Sequence, residues 1–223
     1  MKRRTPFLIF LFLFSATIVR AADVEYAKVQ EVLGQSEVLR PSSGRWQPLA
    51  KDALLGKGAR IRTHEKSSVR IAFDRGVDSV AELKENGLLN IFGDPPGRLS
   101  LEKGRLFVLR EDAASGRLVV SSRELVSYLE IGGLAMDVTD KGTLLRVFGE
   151  KTTVTPLSKS GTKKPEALTI EEGFKSFRGV KPGSNYLRRM NYSDYIDWQA
   201  WTRKWYEKKD DANADRLEKE MDW

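Results

Sequence analysis

From residue 27 to about residue 179, apolar and polar side chains alternate in short runs. The runs recur every 8–12 residues between turn signals, the spacing of an all-β domain. In the run 68–73, Val69, Ile71 and Phe73 share one face; in 59–63, Arg60 and Arg62 lie opposite Ile61. Each pattern predicts a strand with one buried and one solvated side. Further strands are predicted at 24–32, 36–39, 88–91, 99–101, 105–109, 118–121, 125–131, 143–148 and 153–156, with breaks at 41–44, 93–97 and 113–116, where Gly and Pro supply special backbone angles or remove ladder donors. No helical period precedes Asn191, which argues against a helix-rich or nucleotide-binding α/β fold.

The pattern changes at Tyr192. Asn191 or Ser193 can cap a helix, and Asp194 sits favourably in its first turn. Tyr195, Trp198, Trp201 and Trp205 follow at spacings of three, three and four, which places them on one helical stripe. The helix is expected to run to about Met221, docked in its first half and solvated at its charged end. The architecture implied is mainly β, a β-sandwich or a short wound, solenoid-like sheet, with a C-terminal α-helix. It divides the chain into 1–21, 22–185 (the β domain) and 186–223 (the aromatic and charged helix).

Residues 1–21 read as a cleaved export signal. Lys2, Arg3 and Arg4 precede the apolar run 7–19, and small or short residues before position 22 suit cleavage after Ala21. A spanning helix needs about 20 apolar residues, more than this run supplies. The expected compartment is periplasmic or extracellular, with no spanning helix in the mature form. Losing the four basic residues of this segment lowers the formal charge from +7 to +3. So small an excess gives no support for nucleic acid as a partner. The chain has no cysteine, which excludes disulfides, thiolate metal sites and a lipid-bearing cysteine.

Catalytic chemistry finds few residues to use. His64 is the single histidine. A nucleophile set would need it beside Ser67 or Ser68 and Asp74 or Asp78, yet no Gly-x-Ser-x-Gly elbow is present, and His64 between Thr63 and Glu65 reads as an exposed turn. The acidic groups Glu171-Glu172, Asp210-Asp211 and Asp137 with Asp140 have no EF-hand spacing and read as solvated pairs. No catalytic, cofactor or metal residue is assigned, and no cofactor is expected. The polar loop 158–165, with three lysines, reads as a solvated hairpin tip. The strongest candidates for partner contact are Trp198, Trp201 and Trp205 with Arg203, because aromatic residues beside arginine make interface hot spots. The same stripe can instead close the open face of the β domain.

One further pattern is more specific. Val29, Val32-Leu33-Gly34, Val38 and Trp46-Gln47-Pro48-Leu49 lead into Gly56-Lys57-Gly58-Ala59-Arg60-Ile61-Arg62-Thr63 and Ser67-Ser68-Val69-Arg70-Ile71-Ala72-Phe73-Asp74. This order resembles the FecR domain family of bacterial envelope proteins. Lys103-Gly104-Arg105-Leu106-Phe107-Val108 and Gly142-Thr143-Leu144-Leu145-Arg146-Val147 resemble its later strands, with Leu145 where an aromatic is common. The family's Asp-Gly-Ser turn is replaced by the longer Asp74-Arg75-Gly76-Val77-Asp78-Ser79. The predicted signal peptide stands where iron-uptake regulators of the family carry a sigma-factor-binding region and a spanning helix. The resemblance therefore implies a stand-alone exported module, and transmembrane signalling is not carried over. The matched residues read as structural. Gly56 and Gly58 flank a bend, Thr63 and Ser67 tie a turn through their hydroxyls, and Trp46 covers an end of the core. Together these readings lead to the expectation of a non-enzymatic envelope protein that binds another envelope protein, in signalling or assembly. The alternative is a binder of cell-wall glycan or another envelope polyanion.

Overall fold

The alternating runs form strands. The computed structural model describes residues 26–73, 79–91, 99–111, 117–157, 166–181 and 183–221, with side chains from 27 to 210. The predicted signal, the 158–165 loop, residues 74–78 and the breaks at 93–97 and 113–116 lie outside them. The strands are β1 (Tyr26–Leu33), β2 (Ser36–Leu39), β3 (Trp46–Pro48), β4 (Leu54–Gly56), β5 (Arg60–Thr63), β6 (Ser68–Phe73), β7 (Ser79–Leu83), β8 (Leu88–Ile91), β9 (Leu99–Arg110), β10 (Leu118–Ser121), β11 (Leu125–Leu129), β12 (Gly132–Thr139), β13 (Gly142–Val147), β14 (Lys151–Pro156), β15 (Leu168–Glu171), β16 (Phe174–Gly179) and β17 (Tyr186–Arg189). The helix α1 (Tyr192–Met221) follows.

The strands make two layers that share β9. One layer runs β4-β1-β6-β7-β9-β12-β13-β16-β17, antiparallel throughout. The other runs β3-β2-β5-β8-β9-β10-β11-β14-β15, with one parallel pair, β9 with β10. β9 changes layer at Gly104, whose φ is +92° and whose missing Cβ would lie 2.6 Å from the Cα of Gly87. Both the backbone angle and the close approach demand glycine there.

The period of two sorts side chains between faces. Val29, Ile71, Leu83, Leu106, Val108, Leu134 and Met136 from the first layer meet Val38, Ile61, Leu89, Leu101, Val120 and Val154 from the second in one dry core. Alternate positions of the first layer, Ala72, Val80, Phe107, Leu109 and Ala135, point the other way and are covered by α1. A solvated outer face was expected for the run 68–73. The structure corrects this, because Arg70 and Ala72 on that face are also buried.

The turns between layers carry the matched motif. Thr63 Oγ1 donates to the Lys84 carbonyl at 2.6 Å and accepts the Gly87 N–H at 2.9 Å. Ser67 Oγ donates to the Glu65 carbonyl at 3.0 Å and accepts the Gln35 N–H at 2.9 Å. These hydroxyls stitch successive corners of the sheet, as their residue types implied. Gly58 has φ +80°, whereas Gly56 has no left-handed angle and, among the described residues, no atom near its Cβ position, so of the two only Gly58 needs to be glycine. Trp46 lies half-buried on β3 under the Arg62 guanidinium, 4.3 Å from its ring centroid, rather than in the core. The predicted helical segment 186–223 begins with a strand, since Tyr186 to Arg189 pair with β16.

Candidate functional site

The helix is built to dock. Asn191 caps it: its Oδ1 accepts the Asp194 N–H at 3.3 Å, while the Asp194 carboxylate accepts the Asn191 N–H at 2.9 Å. This reciprocal pair satisfies two donors that a helix start otherwise leaves open. From there α1 crosses the first layer strand by strand. Asp194 binds Lys175 of β16 and Arg146 of β13. Trp198 lies over Gly133 of β12 and stacks on Phe148, with centroids 4.3 Å apart. Trp201 packs on Phe107 of β9 at 5.3 Å, and Arg70 of β6 faces the Trp205 ring at 5.8 Å. Lys208 reaches Glu31 of β1.

Trp198, Trp201 and Trp205 are therefore 8 %, 4 % and 4 % exposed. Their reading as an exposed partner face is corrected: the stripe is an internal contact, because the outer face of the sheet offers Phe107, Val80 and Leu109 to cover. Arg203 is exposed on the opposite side of the helix. It shares that side with Tyr192 and Ile196, which are 79 % and 46 % exposed.

Beneath the helix lies a charge network that the hydrophobic pattern did not reveal. Glu82 accepts Arg70 Nη2 at 2.8 Å, Lys84 Nζ at 2.7 Å and the Trp201 indole N–H at 2.8 Å. Burial pushes its carboxyl pKa up, but Lys84 and Arg70 outweigh that and hold it below the usual range. Arg105 joins Asp137 to Asp197 of the helix, and Arg146 joins Asp137 to Asp194. Asp194 is pulled down to about 2: burial opposes ionisation, and Lys175, the Asn191 N–H and Arg146 overcome it. The available signal was a charged residue at every second position of an apolar strand, as in Val69-Arg70-Ile71 and Ala81-Glu82-Leu83. Charges there are kept where another element brings them partners.

Two adjoining grooves open beside this network. One, of about 560 Å³, runs between α1 and the sheet past Glu31, Lys84, Asp197 and Lys204. The other, of about 610 Å³, continues over the corners at Lys66, Asn86 and Thr139. Cations and carboxylates line both.

His64 is bound to Glu37, Nε2 to Oε2 at 2.7 Å, and Glu37 also accepts Arg62 Nε at 2.6 Å. Arg62 and His64 together lower the Glu37 pKa to about 2. The hydroxyl of Ser67 is engaged by the Gln35 and Glu65 backbone and not by His64. Asp74 and Asp78 lie outside the described residues. Among the described residues no three or more His, Asp or Glu side chains gather as a metal site, and no helix is long and apolar enough to cross a membrane.

No protein-family model matches the chain, and no curated protein matches it. Two solved structures share its fold. Both are crystal structures of a "putative anti-sigma factor" from Parabacteroides distasonis ATCC 8503, at 1.65 and 2.50 Å resolution. Each superposes with a TM-score of 0.50, at 11 % and 12 % identity, over 63 % of this chain. The match covers 64 % and 63 % of those chains, so this chain spans less than two thirds of either.

Proposed function

We propose that this chain is an exported recognition module of the FecR type, which works in the bacterial envelope by binding another protein and carries out no catalysis. The observation that carries the reading is the shared fold with the anti-sigma-factor-like structures, since that class regulates through protein contacts. The corner hydroxyls of Thr63 and Ser67 and the bend at Gly58 support it, because they use the FecR-like motif residues for the geometry that motif implies. The basic, apolar start of the chain supports export. His64 fits a structural role: among the described residues its side chain is bound to Glu37, which also holds Arg62.

The glycan reading drew on an aromatic surface flanked by arginine. With the three tryptophans under the helix, that surface loses its indole rings and keeps Tyr192 and Tyr206. In-cell photo-cross-linking of the chain, followed by mass spectrometry of envelope fractions, tests the proposal. A reproducible cross-linked envelope protein is the expected result. Recovery of wall polymer alone, or fractionation of the chain away from the envelope, overturns it.

A further inference from the structure

The hairpin of β16 and β17 is the most charge-biased part of the chain. Residues 174–189 hold Lys175, Arg178, Lys181, Arg188 and Arg189 and no acidic residue. That local excess is larger than the +3 of the whole chain beyond residue 21. β17 also ends its layer: among the described residues the one strand it pairs with in register is β16. The Met190 N–H donates to the Gly173 carbonyl at 2.7 Å, on the β16 side. An antiparallel ladder alternates every residue, so Tyr186 and Arg188 also face β16. Leu187 and Arg189 then turn their N–H and C=O groups to the open edge.

We propose that this edge receives an extended, acidic segment of a partner protein, which adds to the first layer as a further strand. The inference rests on the protein-binding reading above and specifies its surface. Backbone groups along an open edge supply affinity for an extended segment, and alternate side chains supply selectivity. The cations here are held in place. The Arg188 guanidinium lies 4.7 Å from the Tyr186 centroid, Arg189 lies 5.6 Å from that of Phe174, and Phe177 and Tyr186 stack at 5.4 Å. Ordered arginines lose little freedom when they pair with carboxylates. Leu187, 47 % exposed, offers an apolar contact on the other face of the strand. A second copy of β17 is a poor occupant, because antiparallel pairing would set arginine against arginine. Edge charges discourage like edges; the same charges favour an edge of opposite sign.

The test is binding of the purified chain to a labelled peptide of alternating Glu and Val, read by fluorescence anisotropy at low salt. A control peptide carries N-methyl groups on alternate amides, which removes strand hydrogen bonds and keeps the charge. The expected result is binding of the first peptide, loss of about tenfold or more with the control, and slowed amide exchange at Leu187 and Arg189. Leu187→Pro, which deletes an outward N–H, and the double variant Arg188→Gln/Arg189→Gln should each weaken binding about tenfold with unchanged unfolding midpoints. Equal binding of both peptides overturns the proposal and leaves a general polyanion surface. Absence of binding also overturns it, as does head-to-tail self-association through the acidic end of β15. If the in-cell cross-linked partner persists with Leu187→Pro, the protein-binding reading stands and the edge assignment falls.

Discussion

The Trp201 indole N–H donates to Glu82 Oε2 at 2.8 Å, across 119 positions of sequence. The bond ties the helix to a carboxylate that already holds Arg70 and Lys84. Trp201→Phe keeps most of the packing and removes the bond, so it should cost about 1–2 kcal/mol. Glu82→Ala leaves the Arg70 charge, 6 % exposed, with Glu31 at 3.3 Å as its one ionic partner among the described residues, and should cost about 3 kcal/mol or more. A double-mutant cycle in denaturant should show coupling on the order of 1 kcal/mol. Strict additivity would mean that the contact does not anchor the helix.

Gly133 makes the seat for Trp198. A Cβ at Gly133 would lie 2.2 Å from Trp198 Cζ2. Gly133 has no left-handed φ, so alanine suits its backbone and the penalty is purely steric. Gly133→Ala should destabilise by about 1–3 kcal/mol. Trp198→Ala alone should cost about 3–5 kcal/mol. In the Trp198→Ala background, Gly133→Ala should add almost nothing. Thermal unfolding of the four proteins gives the answer, and an undiminished penalty in that background points to another cause.

Acid should loosen the start of the helix. The Asp194 pKa is held at about 2, below the ordinary 3.8. A carboxylate with a lowered folded pKa gives stability that is fully present above its unfolded pKa. That stability drains away as pH falls towards the folded value. The contribution should therefore be complete above about pH 4 and disappear towards pH 2. Asp194→Asn should lower stability at neutral pH and flatten the decline across this window. Parallel pH profiles for the two proteins, read by tryptophan fluorescence, would rule out Asp194 as the source.

Thr63 ties a corner through two backbone groups, the Lys84 carbonyl and the Gly87 N–H. Thr63→Val keeps the shape but strips the half-buried Lys84 carbonyl and the buried Gly87 N–H of their hydroxyl bonds. The cost should be about 2–4 kcal/mol, from two unsatisfied groups of about 1–2 each. Thr63→Ser keeps both bonds and should lose about 1 kcal/mol for the methyl group. Urea midpoints distinguish the two, and equal losses would indicate packing rather than hydrogen bonding.

Much of the second layer could be read from alternation, and the reasons for the omissions in the first are physical. β2, β8 and β10 fall at their expected residues because each has a buried and a less buried face. β12 was missed although it lies between β9 and β13. Leu134, Ala135 and Met136 are all buried, since the core covers one side and α1 the other, and the period of two vanishes. β7 was missed for the same reason. The pattern predicts separate strands at 99–101 and 105–109, while the chain passes through Gly104 between layers without ending the strand. The helical stripe was legible; its direction was not. Spacing alone places Trp198, Trp201 and Trp205 together, but only the small side chains at Gly133 and Ala135 opposite them reveal an empty seat.

Among the described residues, β9 is the one strand that pairs with both layers. Neither layer can detach while the other keeps its central member. Fluctuations that open Leu101 must propagate to Leu106, so the two halves of this strand should share one opening free energy. The sandwich is in that sense a single cooperative foldon hinged on twelve residues.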